Sequence, residues 1–127
     1  MSIHPLGSYE DVPDRPGRRA RNLAGSEHGF DSLFVTENEM DAGSSIPLHT
    51  HSVEEAWVVT AGELTVRIGD EQLVVPSGHV VRVPPNVPHA VENKGTATAR
   101  AITAAPWDRA TFYADATTYL EGVARSD

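Results

Sequence analysis

Residues 43–62, GSSIPLHTHSVEEAWVVTAG, decide how this chain is read. His49 and His51 stand two apart, and in an extended strand side chains alternate, so both imidazoles point to one face. Glu55 shares their parity and can join them if the chain stays extended, whereas Glu54 points the other way. Two imidazoles and a carboxylate converging on one point form a donor set for a divalent transition metal. Further along, residues 78–93, GHVVRVPPNVPHAVEN, carry His89 directly after the stiff turn Pro84-Pro85-Asn86-Val87-Pro88. The prolines restrict the local backbone and so restrict where the next imidazole sits. His89 can supply a fourth ligand from a different strand.

Working outward, residues 30–105 read as strands. Leu33–Val35, Ala56–Thr60, Leu64–Ile68, Leu73–Val75, Val80–Val83 and Ala97–Ala104 are short runs rich in Val, Ile and Thr. Turn chemistry separates them: Ala61-Gly62, Gly69-Asp70, Pro76-Ser77-Gly78 and Pro84-Pro85-Asn86. Short strands joined by tight turns, with no helix between them, predict an all-β antiparallel sandwich or barrel. Residues 1–29, broken by Pro and Gly, read as an N-terminal arm that is solvated or packs on a partner subunit. Within it Arg18, Arg19 and Arg21 form a small basic cluster. Residues 106–127 read as a tail, with a short helix over Asp115–Ala124 capped by Asp115.

The whole chain has 127 residues, enough for one domain with a real core. Ten Lys+Arg against eighteen Asp+Glu give a formal charge of −8. That balance argues against a nucleic-acid surface and against an anionic-membrane binder. There are no cysteines, so disulfides, thiolate zinc sites, iron–sulfur clusters and cysteine nucleophiles are excluded. Any metal must be held by imidazole and carboxylate. No run has signal-peptide or bilayer-spanning character, so the expected location is the cytoplasm.

The two motif segments resemble those of the cupin superfamily. Gly43, His49, His51, Glu55 and Gly62 match the first motif, G-x5-H-x-H-x3-E-x6-G, at every position. Gly78, Pro84, His89 and Asn93 match the second, G-x5-P-x-G-x2-H-x3-N, and Asn86 replaces its glycine. Asn tolerates left-handed backbone angles better than most residues, so the turn should survive. Fifteen residues between Gly62 and Gly78 suit a small single-domain member of the conserved-barrel type.

The resemblance implies a double-stranded β-helix, or jelly roll, with one divalent metal (Fe, Mn, Ni, Zn or Cu) inside the barrel on His49, His51, Glu55 and His89. It also implies a homodimer. Activities in the family include dioxygenases, decarboxylases, isomerases, cyclases and lyases, beside non-catalytic binders. The leading expectation is a metal-dependent enzyme acting on a small organic substrate with oxygen-dependent, dioxygenase-type chemistry. The alternatives are a non-oxidative isomerase, cyclase or lyase, and a small-ligand binding module. Glu55 is the candidate catalytic base. Trp57 shares its parity and is a candidate pocket wall, while Arg82, Arg100 and Tyr113 are candidate substrate contacts, with surface roles as their alternative. Asn93 and the motif glycines are expected to be structural.

Overall fold

A computed structural model of the chain describes residues 3–106, 112 and 117–119. It is a sandwich of two antiparallel sheets. The elements, in chain order, are β1 (Glu10–Asp11), β2 (Arg18–Ala24), a 3₁₀ turn (Ser26–His28), β3 (Leu33–Met40), β4 (Ser45–His51), β5 (Glu55–Ala61), β6 (Glu63–Ile68), β7 (Glu71–Pro76), β8 (His79–Val83), β9 (His89–Glu92), β10 (Ala99–Pro106) and β11 (Thr117–Tyr119). One sheet runs β1-β2-β3-β10-β5-β8 and the other β11-β4-β9-β6-β7. This is the all-β antiparallel sandwich expected from the strand and turn pattern, in the jelly-roll form that the cupin resemblance implies. Among the described residues no helix is long and apolar enough to cross a membrane.

Both ends of the chain depart from expectation. Part of the presumed arm is β2, paired with β3 from Arg18↔Met40 to Ala24↔Val35. Its sequence, RRARNLA, has little strand propensity. Cross-strand charge pairs on the outer face hold it instead: Arg19 with Glu39 and Asp41, and Arg21 with Glu37. In the tail, the expected helix over Asp115–Ala124 is not what forms at its centre. Thr117–Tyr119 is a strand, because Thr117, Thr118 and Tyr119 favour extended backbone and pair with the edge of β4. The rest of that segment lies outside the described residues.

Strict alternation places the core. On β3, Phe34, Thr36, Asn38 and Met40 face inward while the residues between them are partly exposed. The main apolar cluster draws on both sheets and includes Met40, Val59, Leu64, Val66, Val83 and Val91, all at most 2 % exposed. Each such side chain contributes about 1.5–3 kcal/mol by leaving water. A second, smaller cluster holds Phe34, Ala105 and Phe112. Between the two clusters, along β3 and its neighbour β10, the inward residues are polar: Thr36, Asn38 and Thr103 are all buried. This interior polar band belongs to the sheet opposite the one that carries β4 and β9.

Two backbone devices frame it. Asn86 has φ 63°, the left-handed conformation anticipated at the position where the second motif has glycine. Its N–H donates to the His51 carbonyl at 2.6 Å, tying the proline-rich turn to the end of β4. Gly62, at φ +68°, closes the β5–β6 hairpin so tightly that a Cβ there would stand 3.1 Å from the Ala99 Cα.

Candidate metal centre

His49 and His51 lie on β4 and His89 lies on β9, directly opposite His49 in the antiparallel register. The register slips between Ile46 and His49. Ile46 and His49 differ in parity, and the irregularity at Pro47-Leu48 lets both face inward. Proline, with no N–H for the ladder, suits that position. All three imidazoles are buried, at 5 %, 2 % and 0 % exposure.

Each ring is oriented by its Nδ1. His49 Nδ1 donates to the Pro47 carbonyl at 2.7 Å and His89 Nδ1 to the Val87 carbonyl at 3.0 Å. A carbonyl only accepts, so in both neutral rings the proton is on Nδ1 and the lone pair on Nε2. His51 Nδ1 stands 2.7 Å from Thr117 Oγ1, and that hydroxyl donates its own proton to the Phe112 carbonyl at 2.6 Å. The Thr117 oxygen therefore accepts from His51, which receives the same tautomer as the other two.

Three Nε2 lone pairs consequently converge. The donor atoms of His49, His51 and His89 all lie within 4.8 Å of one another, and His49 Nε2 is 3.0 Å from His51 Nε2. Two lone pairs facing each other at that distance repel unless a cation sits between them. Nitrogens each about 2.1 Å from one ion and at right angles stand about 3.0 Å apart, which matches the observed separation. His89 Nε2 is fully buried and has no hydrogen-bond partner among the described residues, a costly state that a metal bond removes. Burial holds His49 neutral, with its pKa lowered to about 3; His89, Arg18 and Arg15 add to the shift against the opposing bond to Pro47. Burial likewise lowers His51 to about 2, assisted by His49 and His89. Neutral imidazoles are the form that binds metal. The donor set fits a divalent transition metal.

Glu55 opens β5 on the facing sheet, 4 % exposed. Its Oε1 stands 3.7 Å from His51 Nε2 and 3.6 Å from His89 Nε2. The same oxygen accepts the Trp57 indole N–H at 2.7 Å. Glu55 thus borders the three-histidine group. Trp57 is 5 % exposed, its body in the apolar core and its N–H in the site. Glu54 points outward, as its parity requires, and pairs with Arg82.

Arg82 and Arg100 do not reach the interior. Both lie on the outer face of their sheet, Arg82 against Glu54 and Arg100 against Glu39, because they occupy the solvent-side parity of β8 and β10. Tyr113 lies outside the described residues. Asn93 is structural: its amide donates to the carbonyls of Met40 and Ala97 and its oxygen accepts from the Gly95 N–H. Sequence reasoning missed Thr117 and Tyr119, whose ring stacks on His49 at 5.4 Å, and it left Arg18 in the arm. The strand-prone run Thr117-Thr118-Tyr119 was the available signal.

Comparison with known proteins bears on the family and the fold. The cupin-domain family model matches residues 37–104. Auxin-binding protein 1 of Arabidopsis thaliana is 29 % identical over 96 residues, covering 68 % of this chain and 48 % of that protein, so the chain spans about half the length of that curated relative. The polyketide cyclase RemF of Streptomyces resistomycificus superposes with a TM-score of 0.78 at 22 % identity, over 94 % of this chain and 83 % of its own. An RmlC-like cupin from Shewanella frigidimarina NCIMB 400 gives 0.71 at 23 %, over 83 % and 87 %. With both histidine motifs inside the matched segment and the sheets arranged as in these structures, the chain belongs to the cupin superfamily.

Proposed function

We propose that this protein is a metal-dependent enzyme acting on a small organic substrate, with His49, His51, His89 and Glu55 holding one divalent transition metal. The observation that carries the proposal is the convergence of three buried Nε2 atoms, each oriented by an anchored Nδ1, with His89 Nε2 making no hydrogen bond among the described residues. When bound, such an ion supplies a Lewis acid and, if redox-active, a centre for oxygen chemistry.

The chain's own residues do the rest. Glu55 can take up a proton at its carboxylate beside the reacting group, and the Trp57 N–H holds that carboxylate in place. The apolar clusters on either side limit water in the site, which strengthens each polar contact within it. Thr36, Asn38 and Thr103 offer a polar wall that can orient an oxygen-rich substrate.

Oxygen-dependent chemistry is the leading reaction type. A second, non-oxidative reading is favoured by the likeness to RemF, a polyketide cyclase, over nearly the whole chain. Metal-loaded protein assayed on chelating dicarbonyl and enol substrates, in air and under nitrogen, separates them. Oxygen uptake coupled to product supports the first. Equal turnover under nitrogen overturns the first and establishes the second. Tight ligand binding without product in either atmosphere overturns both in favour of a binding module.

A further inference from the structure

The three imidazoles are buried, so an organic molecule reaches them only after part of the fold moves aside. Most of the strands around them are held on both sides. β9 lies between β4 and β6, and β5, which carries Glu55, lies between β10 and β8. β4 is held by β9 on one side and by β11 on the other. β11 is three residues long, and its far side meets no strand among the described residues. A short edge strand has few backbone hydrogen bonds and opens at lower free energy than the strands it covers. Its cover over the centre is direct. The Tyr119 ring stacks on His49 at 5.4 Å, and the buried Phe112 ring lies 4.1 Å from His51, centroid to centroid. Thr117 Oγ1 accepts from His51 Nδ1 at 2.7 Å and donates to the Phe112 carbonyl at 2.6 Å, which ties Phe112 and β11 into one covering unit.

We propose that β11 with Phe112 is a gate over the histidine centre: its release from the edge of β4 admits a small organic molecule, and its return closes the centre to water. The proposal rests on the function proposed above, an enzyme that takes in and releases small molecules at this centre. Release of β11 withdraws Tyr119 from the face of His49 and Phe112 from His51. It also takes the Thr117 acceptor from His51 Nδ1. His49 and His89 keep their own anchors, the carbonyls of Pro47 and Val87. Closing the gate and orienting His51 are therefore one event, and whatever favours the oriented ring favours the closed gate by the same factor.

The chain has no cysteine, so a single engineered disulfide can hold the gate shut. Thr50 and Thr118 stand directly opposite each other in the register and face outward, away from the histidines. Residues so placed have Cα atoms about 4.5–5.5 Å apart, within the span of a disulfide. The full-length double variant Thr50→Cys, Thr118→Cys is compared oxidised and reduced, with circular dichroism recorded for each form. Acylation of metal-free protein by diethyl pyrocarbonate, read residue by residue by mass spectrometry, measures access to the imidazoles. The exposed His79 is the internal reference. Oxidation is expected to slow acylation at His49 and His51 by about tenfold or more, with His79 unchanged and wild-type rates restored by reduction. Should the pair not oxidise, Thr118→Pro, which disfavours the strand, is expected to speed acylation by a similar factor. Rates at His49 and His51 equal within twofold in oxidised and reduced protein, or in Thr118→Pro and wild type, overturn the gate. So does wild-type protein in which His79 reacts while His49 and His51 do not. Slowed acylation in oxidised protein, beside wild-type protein that takes up no zinc, keeps the gate and overturns the metal reading.

Discussion

Thr117 sets the orientation of a proposed ligand without touching the metal position, and its replacement by valine isolates that role. Valine has nearly the same shape, keeps the β-branching that suits β11, and removes only the hydroxyl. In the native chain that hydroxyl donates to the Phe112 carbonyl at 2.6 Å and accepts from His51 Nδ1 at 2.7 Å. Thr117→Val leaves a buried Nδ1–H without its acceptor, which costs about 1–3 kcal/mol. His51 can escape that cost by shifting its proton to Nε2 or by rotating, and either change removes the lone pair from the centre. Loss of such an orienting partner lowers metal affinity by about 10–100-fold, or about 1.4–2.7 kcal/mol at 1.36 kcal/mol per decade. Competition for zinc against a chromophoric chelator measures the change, and Thr117→Ser serves as the conservative control. Affinity for Thr117→Val within twofold of wild type, with the fold intact by circular dichroism, would show that the hydroxyl does not orient His51.

Three further outcomes follow from the same geometry. His49 and His51 have folded pKa values of about 3 and about 2, below the ordinary histidine value of 6.5. The unfolded chain therefore binds more protons below 6.5, and metal-free protein loses stability as pH falls through that range; at pH 5.5 the loss is about 1.4 kcal/mol per histidine relative to neutral pH. Urea melts of metal-free protein at pH 7.5 and 5.5 measure it, and equal midpoints would contradict it. Trp57→Phe removes the donor that holds Glu55 Oε1 at 2.7 Å. A drop of about 2 kcal/mol in unfolding free energy is expected, the range for a hydrogen bond to a charged group; an unchanged value would mean that the indole contact is idle. At Asn86, φ 63° makes Asn86→Ala unfavourable by about 1 kcal/mol, whereas Asn86→Gly is neutral or better. Thermal melts in which both variants behave alike would refute this.

The strands and most of the site were legible because both rest on local rules. Alternation alone separated Glu55 from Glu54, and the structure puts one at 4 % exposure in the centre and the other on the surface against Arg82. Turn chemistry placed the hairpin at Gly62, and the motif resemblance placed the left-handed residue at Asn86. What escaped depends on pairing between distant segments. RRARNLA has weak strand propensity and becomes β2 through charges on β3, so the inward turn of Arg18 could not be read from its own segment. Thr117 gains its role only because β11 joins the edge of β4 beside His51. Arg82 and Arg100 were candidates by residue type, and their parity relative to the centre became definite only with the register of β8 and β10 on β5.

The central claim is that the three converging imidazoles hold a metal. Elemental mass spectrometry of untagged protein purified without chelator tests it most directly, with His89→Ala prepared alongside. About one equivalent of a divalent transition metal per chain is expected in wild-type protein, falling to near zero in His89→Ala while the strand signal in circular dichroism persists. Wild-type protein that carries no metal and takes none up on loading, or a His89→Ala variant with undiminished metal content, would contradict the account.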